Sequence, residues 1–104
     1  MNDVQLVKNS NGEGVFLIMD GREKVGEMVV SVDDKNITVY HTEVATSHEG
    51  KGLAKKLLDE MVAYARSQKL SVIPLCPYVH LQFKRHPDQY ADIWNRSQEQ
   101  EDPS

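Results

Sequence analysis

Val44-Ala45-Thr46-Ser47-His48-Glu49-Gly50-Lys51-Gly52-Leu53-Ala54 decides the fold, because a run with strand periodicity ends in it and a helical repeat begins. Downstream, Leu53, Ala54, Leu57, Leu58, Met61, Val62 and Ala65 recur at helical spacing, predicting an amphipathic helix from about Lys51 to Gln68. A glycine loop that opens a helix directs unpaired backbone N–H groups at one point, and the helix dipole adds positive potential there. Such a place suits a phosphate or pyrophosphate, and Gly50 and Gly52 remove side chains that would block close approach. Lys51, Lys55 and Lys56 stand where the dipole favours acids, which an anion nearby would explain. Two plain alternatives remain: a structural turn, and surface pairs of Lys55 with Asp59 and Lys56 with Glu60.

Upstream, short alternating runs are separated by turn chemistry. Val4 to Lys8 reads as a strand, and Asn11-Gly12-Glu13-Gly14 as a hairpin turn. Val15 to Met19 is a second strand, Asp20-Gly21 a tight turn, and Lys24 to Val32 a third strand. After Asp33-Asp34-Lys35-Asn36, the residues Ile37, Val39 and His41 alternate with Thr38, Tyr40 and Thr42 as a fourth strand. Past the helix, Ser71 to Leu75 forms a fifth strand, in which Pro74 leaves the hydrogen bonding incomplete. Tyr78 to Arg85 reads as a short helix ended by Pro87, and Tyr90, Ile93 and Trp94 as a group packing back on the domain. The resulting fold class is α/β (α+β): a meander of four antiparallel strands, a crossover helix, a fifth strand parallel to the fourth, and a short C-terminal helix. Residues 1–96 form one domain, and Ser97 to Ser104, with no apolar residue, a disordered tail.

At 104 residues, with 39% hydrophobic and 27% charged content, the chain suits one soluble domain. No apolar run approaches the roughly 20 residues of a membrane span, and residues 1–5 lack a signal peptide's features, so a cytoplasmic protein is expected. The net charge of −4 argues against a nucleic-acid partner, since phosphate-tracking surfaces need a basic excess. Cys76 is the sole cysteine, which excludes an internal disulfide, and no HExxH or paired-cysteine spacing suggests a metal. The expected state is a monomer or weak dimer.

The loop is neither a Walker sequence nor a full dinucleotide fingerprint, since both spacings are absent. It resembles motif A of the GNAT superfamily of acetyl-CoA-dependent N-acyltransferases, [RQ]xxGx[GA], which falls on Glu49-Gly50-Lys51-Gly52-Leu53-Ala54 with Val44 preceding it. His41-Thr42-Glu43-Val44, Val72-Ile73-Pro74-Leu75-Cys76-Pro77-Tyr78 and Lys84-Arg85-His86-Pro87 look like its short single-domain YjdJ-type branch. The resemblance implies that the backbone around Val44 pairs with the pantetheine arm of acetyl-CoA, and that N–H groups from Glu49, Gly50, Lys51, Gly52, Leu53 and Ala54 hold the pyrophosphate. The fourth and fifth strands would part to admit the thioester. Two departures stand out: Glu49 replaces the usual Arg or Gln, and the helices that usually wall the acceptor site after the first strand are missing.

Amine acylation needs a base, an oxyanion donor and a route for protonating the thiolate. Glu43 and His41, on one face of the fourth strand, are the candidate bases, each with an ordinary surface role as its alternative. The Val44 N–H is the candidate oxyanion donor. Cys76 is either a nucleophile or a lining residue of the channel. Tyr78 is either the acid for the thiolate or a phenol packed on the core. The expected function is acetyl transfer to a primary amine of unknown identity. The alternatives are a non-catalytic acyl-CoA-binding module and an interaction domain that has kept the fold.

Overall fold

The tight-turn dipeptides and alternating runs build a single five-stranded sheet of order β1-β2-β3-β4-β5, described over residues 3–96 in the computed structural model. The strands are β1 (Val4–Lys8), β2 (Glu13–Asp20), β3 (Glu23–Val32), β4 (Asn36–Val44) and β5 (Ser71–Pro74). β1 to β4 pair antiparallel, and β5 runs parallel to β4 after the crossover helix α1 (Leu53–Ser67). Helices α2 (Pro77–Arg85) and α3 (Pro87–Tyr90) follow. The mixed sheet with one crossover helix and a short helix after β5 is the architecture read from the sequence. The tail from Ser97 to Ser104 lies outside the described residues.

All the helices lie on one side. Phe16, Ile18, Met28, Val30, Ile37, Val39 and Val72 point to one face and are buried with Leu57, Leu58, Met61 and Phe83 in one core. α1 seats there: the Tyr64 ring meets Phe16 edge-on at 5.9 Å, and a Cβ on Gly26 would lie 3.4 Å from Leu57 Cδ1. On the opposite face Val15, Leu17 and Val29 are half-buried, and Val7 and Tyr40 are exposed. Because β1 and β2 are joined by a direct hairpin, no helix arises between them to cover that face.

Beyond shifts of a residue or two at element ends, such as β2 starting at Glu13 and α2 at Pro77, four details differ from the expected elements. α1 starts at Leu53 rather than about Lys51, because Gly52 takes the left-handed conformation (φ 75°) and cannot begin a helix. β5 stops at Pro74, with the Leu75 N–H turned back to the Ile73 carbonyl. α3 was not foreseen; it carries the chain so that Ile93 to Asn95 runs beside Val72, with hydrogen bonds of 2.6 and 2.9 Å, and covers the outer edge of β5. The fourth difference bears on chemistry. Val29 pairs with His41 but Val30 with Val39, so Tyr40 is a bulge. The simple alternation would put His41 on the core face with Val39; the bulge turns it to the open face instead.

The C-terminal strap is held by ring packing. Phe83 stacks on Tyr90 at 4.5 Å and meets Trp94 at 5.6 Å, while Arg66 bonds Asp92 at the surface at 2.9 Å. A buried aromatic outweighs an exposed ion pair. Phe83→Ala should therefore cost about 3–5 kcal/mol and Asp92→Ala less than about 1 kcal/mol in urea denaturation, and the reverse order would show that the ion pair carries the strap.

Candidate functional site

The site forms where β4 outruns β5. Parallel pairing extends from Asn36 with Ser71 to Val39 with Pro74, and the last rung is the Cys76 N–H to the Val39 carbonyl at 2.8 Å. The N–H due toward β4 after Ile73, that of Leu75, is turned back to the Ile73 carbonyl at 3.1 Å, and Pro77 at the first turn of α2 leads the chain away from the strand direction. Beyond Tyr40, the edge of β4 that would face β5 has no strand beside it among the described residues.

The register determines which backbone groups point into that gap. Ala45 N–H donates to the Val25 carbonyl at 2.9 Å, so the Gly26 and Val44 pair is of the kind whose own N–H and C=O groups point away from each other. Val44 and, two residues earlier, Thr42 thus turn their backbone groups toward the gap. A row of unpaired strand groups is a template for an extended amide chain. Pantetheine, with its two amides, has that character.

The chain then makes a short 3-10 turn (Thr46–His48) and the glycine loop. Gly50 (φ 85°) and Gly52 (φ 75°) are both left-handed, and a Cβ built on either meets nothing within 4 Å. Only backbone conformation, not crowding, calls for glycine here. The N-terminus of α1 has no side-chain cap and no acid in its first turn, so its leading N–H groups remain available. Val44, His48, Glu49, Gly50, Gly52, Leu53 and Ala54 line one hollow of about 190 Å³. Lys51 lies in the loop but does not line it. Lys55 is bonded to Asp59 at 2.8 and 2.9 Å, as one surface pairing anticipated, and this raises its pKa. No Lys56–Glu60 pair is present among the described residues. Glu49 is exposed, so its carboxylate can turn to solvent while its backbone serves the loop.

The four catalytic candidates do not converge equally. Cys76 marks the apex of the gap, 1% exposed, with Sγ 3.3 Å from Thr42 Oγ1, and so forms part of its wall. Tyr78 is half-buried against the core beside Lys55 and Asp59 of α1; burial pushes its phenol up, partly opposed by the Lys55 charge. His41 and Glu43 stand together on the open face, His41 Nε2 lying 3.9 Å from Glu43 Oε1.

That pair has a third member that sequence reasoning missed. Glu27 lies directly across from Glu43 in the β3–β4 register, and His41 Nε2 is 3.6 Å from its Oε2. Opposed carboxylates repel, and here Lys24 compensates at 2.6 Å from Glu27. The Lys24 hydrogen bond holds the Glu27 carboxyl below the usual range against its partial burial, with His41 adding to the effect. Only the cross-strand register could have revealed Glu27, and that depends on the bulge at Tyr40. A second hollow of about 190 Å³, lined by Lys24, Val25, Gly26, Glu27, Glu43, Val44 and Ala45, adjoins the cluster, so Val44 borders both hollows.

Residues 15–93 match the family described as GCN5-related N-acetyl-transferase. The chain is 27% identical to human N-acetyltransferase 8B over 113 residues, covering 92% of this chain and 50% of that protein, and so spans about half the length of this curated relative. Among solved structures, a GCN5-like putative N-acetyltransferase from Staphylococcus aureus is 28% identical, with a TM-score of 0.65 over 91% of each chain. A ribosomal-protein-alanine N-acetyltransferase from Brucella melitensis shares the fold at 17% identity, with a TM-score of 0.62 over 86% of this chain and 90% of that one. Agreement over most of the described residues goes well beyond a coincidence of two glycines, and the chain belongs to the GCN5-related N-acetyltransferase family.

Proposed function

We propose that this chain binds acetyl-CoA and transfers its acetyl group to a primary amine, as a cytoplasmic enzyme of the short single-domain YjdJ-type branch, monomeric or weakly dimeric. The observation that carries the reading is the unpaired edge of β4 at Thr42 and Val44, continuous with an uncapped helix start behind two left-handed glycines. An amide chain ending in a pyrophosphate is complementary to both in that order. Acetyl-CoA supplies an acyl group activated as a thioester.

The chain's own groups supply the rest. Val44 N–H, aimed into the gap, is a donor for oxyanion charge. The open face beside β4 admits the amine, and His41 Nε2 or a Glu43 carboxylate oxygen receives its proton, with Glu27 holding the imidazole between two carboxylates. Tyr78, its pKa raised by burial, keeps its proton at neutral pH and has one to give the leaving thiolate. Direct attack by the amine is favoured over an acyl-Cys76 intermediate, because the thiol is buried and engaged with Thr42. The exposed carboxylate of Glu49 beside the pyrophosphate loop supports the rival, a module that binds acyl-CoA without turnover.

A thermal melt with acetyl-CoA, free CoA and ATP in parallel tests the binding. A ligand at about 100 times its dissociation constant adds roughly 2.7 kcal/mol, so acetyl-CoA should raise the midpoint clearly beyond ATP. Replacing both Gly50 and Gly52 with valine should abolish that rise, and an unchanged rise would sink the loop assignment. Turnover is measured over an amine panel, where Glu43→Gln or His41→Ala should lower kcat by about 100-fold or more at whichever residue is the base. Losses under about tenfold at both would remove them from that role, and a melt shift without turnover on any amine would favour the binding module.

A further inference from the structure

His48 is the one buried polar side chain among the described residues, 9% exposed, and the acyl-transfer chemistry leaves it unused. Its Nδ1 lies 2.8 Å from Ser47 Oγ and its Nε2 3.1 Å from Asp20 Oδ2. The Asp20 carboxylate can only accept, so Nε2 carries a proton and donates it; in the neutral ring Nδ1 then accepts from the Ser47 hydroxyl. The chain Asp20–His48–Ser47 thus joins the end of β2 to the segment that leads into the glycine loop.

That loop has little else to hold it. Ala45 N–H is bonded to Val25, but the following backbone bonds, His48 N–H to Ala45 and Glu49 N–H to Thr46, stay within the loop. No side chain packs where a Cβ of Gly50 or Gly52 would stand. Two glycines free to leave φ near +80° give the loop many conformations, and only some direct its N–H groups at one point. A buried, doubly bonded ring immediately before Glu49 restricts that choice.

We infer that His48 is a positioning residue: its bonds to Asp20 and Ser47 set the Glu49 to Gly52 loop in its anion-binding shape before the ligand arrives. The inference rests on the reading of that loop as the acetyl-CoA pyrophosphate site. It assigns to Asp20, on a different hairpin, an effect on cofactor affinity exerted without contact with the cofactor.

Asp20 provides the test, because its side chain is 58% exposed and its removal should not unfold the chain. In Asp20→Ala without ligand, the backbone order parameters of Gly50 and Gly52 should fall from about 0.85 toward 0.6 or below, with the β3 amides and the melting temperature unchanged. The dissociation constant for acetyl-CoA by calorimetry should rise about tenfold, and Asp20→Asn, which keeps an acceptor oxygen, should recover most of the loss. Order parameters or affinity unchanged in Asp20→Ala would overturn the inference, as would a loop already mobile in the native chain. A native chain that binds no acetyl-CoA would overturn the functional reading instead, and the order parameters of the free protein would still decide whether the tether holds the loop.

Discussion

Everything distinctive in this domain depends on where the hydrogen bonds between β4 and β5 stop. Ser71 N–H bonds Lys35 on the β4 side while Val72 N–H points outward to Ile93, so after Ile73 the next residue in turn to face β4 is Leu75, and its N–H is turned back to the Ile73 carbonyl. Cys76 N–H closes one more rung on Val39, and Pro77 then commits the chain to a helix. β4 runs on to Val44 without that neighbour, and a strand edge inside a folded domain is left with its amides toward a gap. Satisfying those amides is worth on the order of 1 kcal/mol each, so an extended polar ligand has a reason to lie there.

Around this edge the domain separates its tasks by face. The core face carries α1, α2 and the aromatic group of Phe83, Tyr90 and Trp94, which supply the stability. The other face has no helical cover among the described residues, and on it the Tyr40 bulge and the β3–β4 register gather Glu27, His41 and Glu43. Lys24 beside Glu27 makes the opposed carboxylates tolerable. Like charges directly across a ladder are a local cost, and folds keep such costs where chemistry uses them.

The strands, the crossover helix and the fifth strand were legible because each has a strong local signal: glycine turns, period-two alternation, a long apolar stripe. The stretch from Val44 to Ala54 was legible in the same way, since glycine before a helix is a chemical statement in itself. What the sequence concealed were the consequences of slippage. One extra residue at Tyr40 reverses the face of His41, and no local pattern announces a bulge inside an otherwise regular run. Glu27 was invisible for the same reason, being close to His41 only through pairing. His48 looked like one more loop histidine until Asp20, 28 positions earlier, was brought to it by the β2–β3 hairpin.

The sheet is also laced unevenly along its length. At the end remote from the loop, Val32 N–H bonds Gly12, Ser71 N–H bonds Lys35, and the side chains of Asn36 and Asn95 bond each other at 2.9 Å. Gly12 sits so close that a Cβ there would collide with the Val32 carbonyl oxygen. Mechanically this is a wedge, clamped at its base and free at its mouth. On the proposed function, a bulkier acyl group entering from the mouth would bear first on the rung nearest the apex, Cys76 with Val39, and on the contact of its thiol with Thr42. On that reading, discrimination by acyl length would then fall on the stiffness of one hydrogen bond and the size of two side chains.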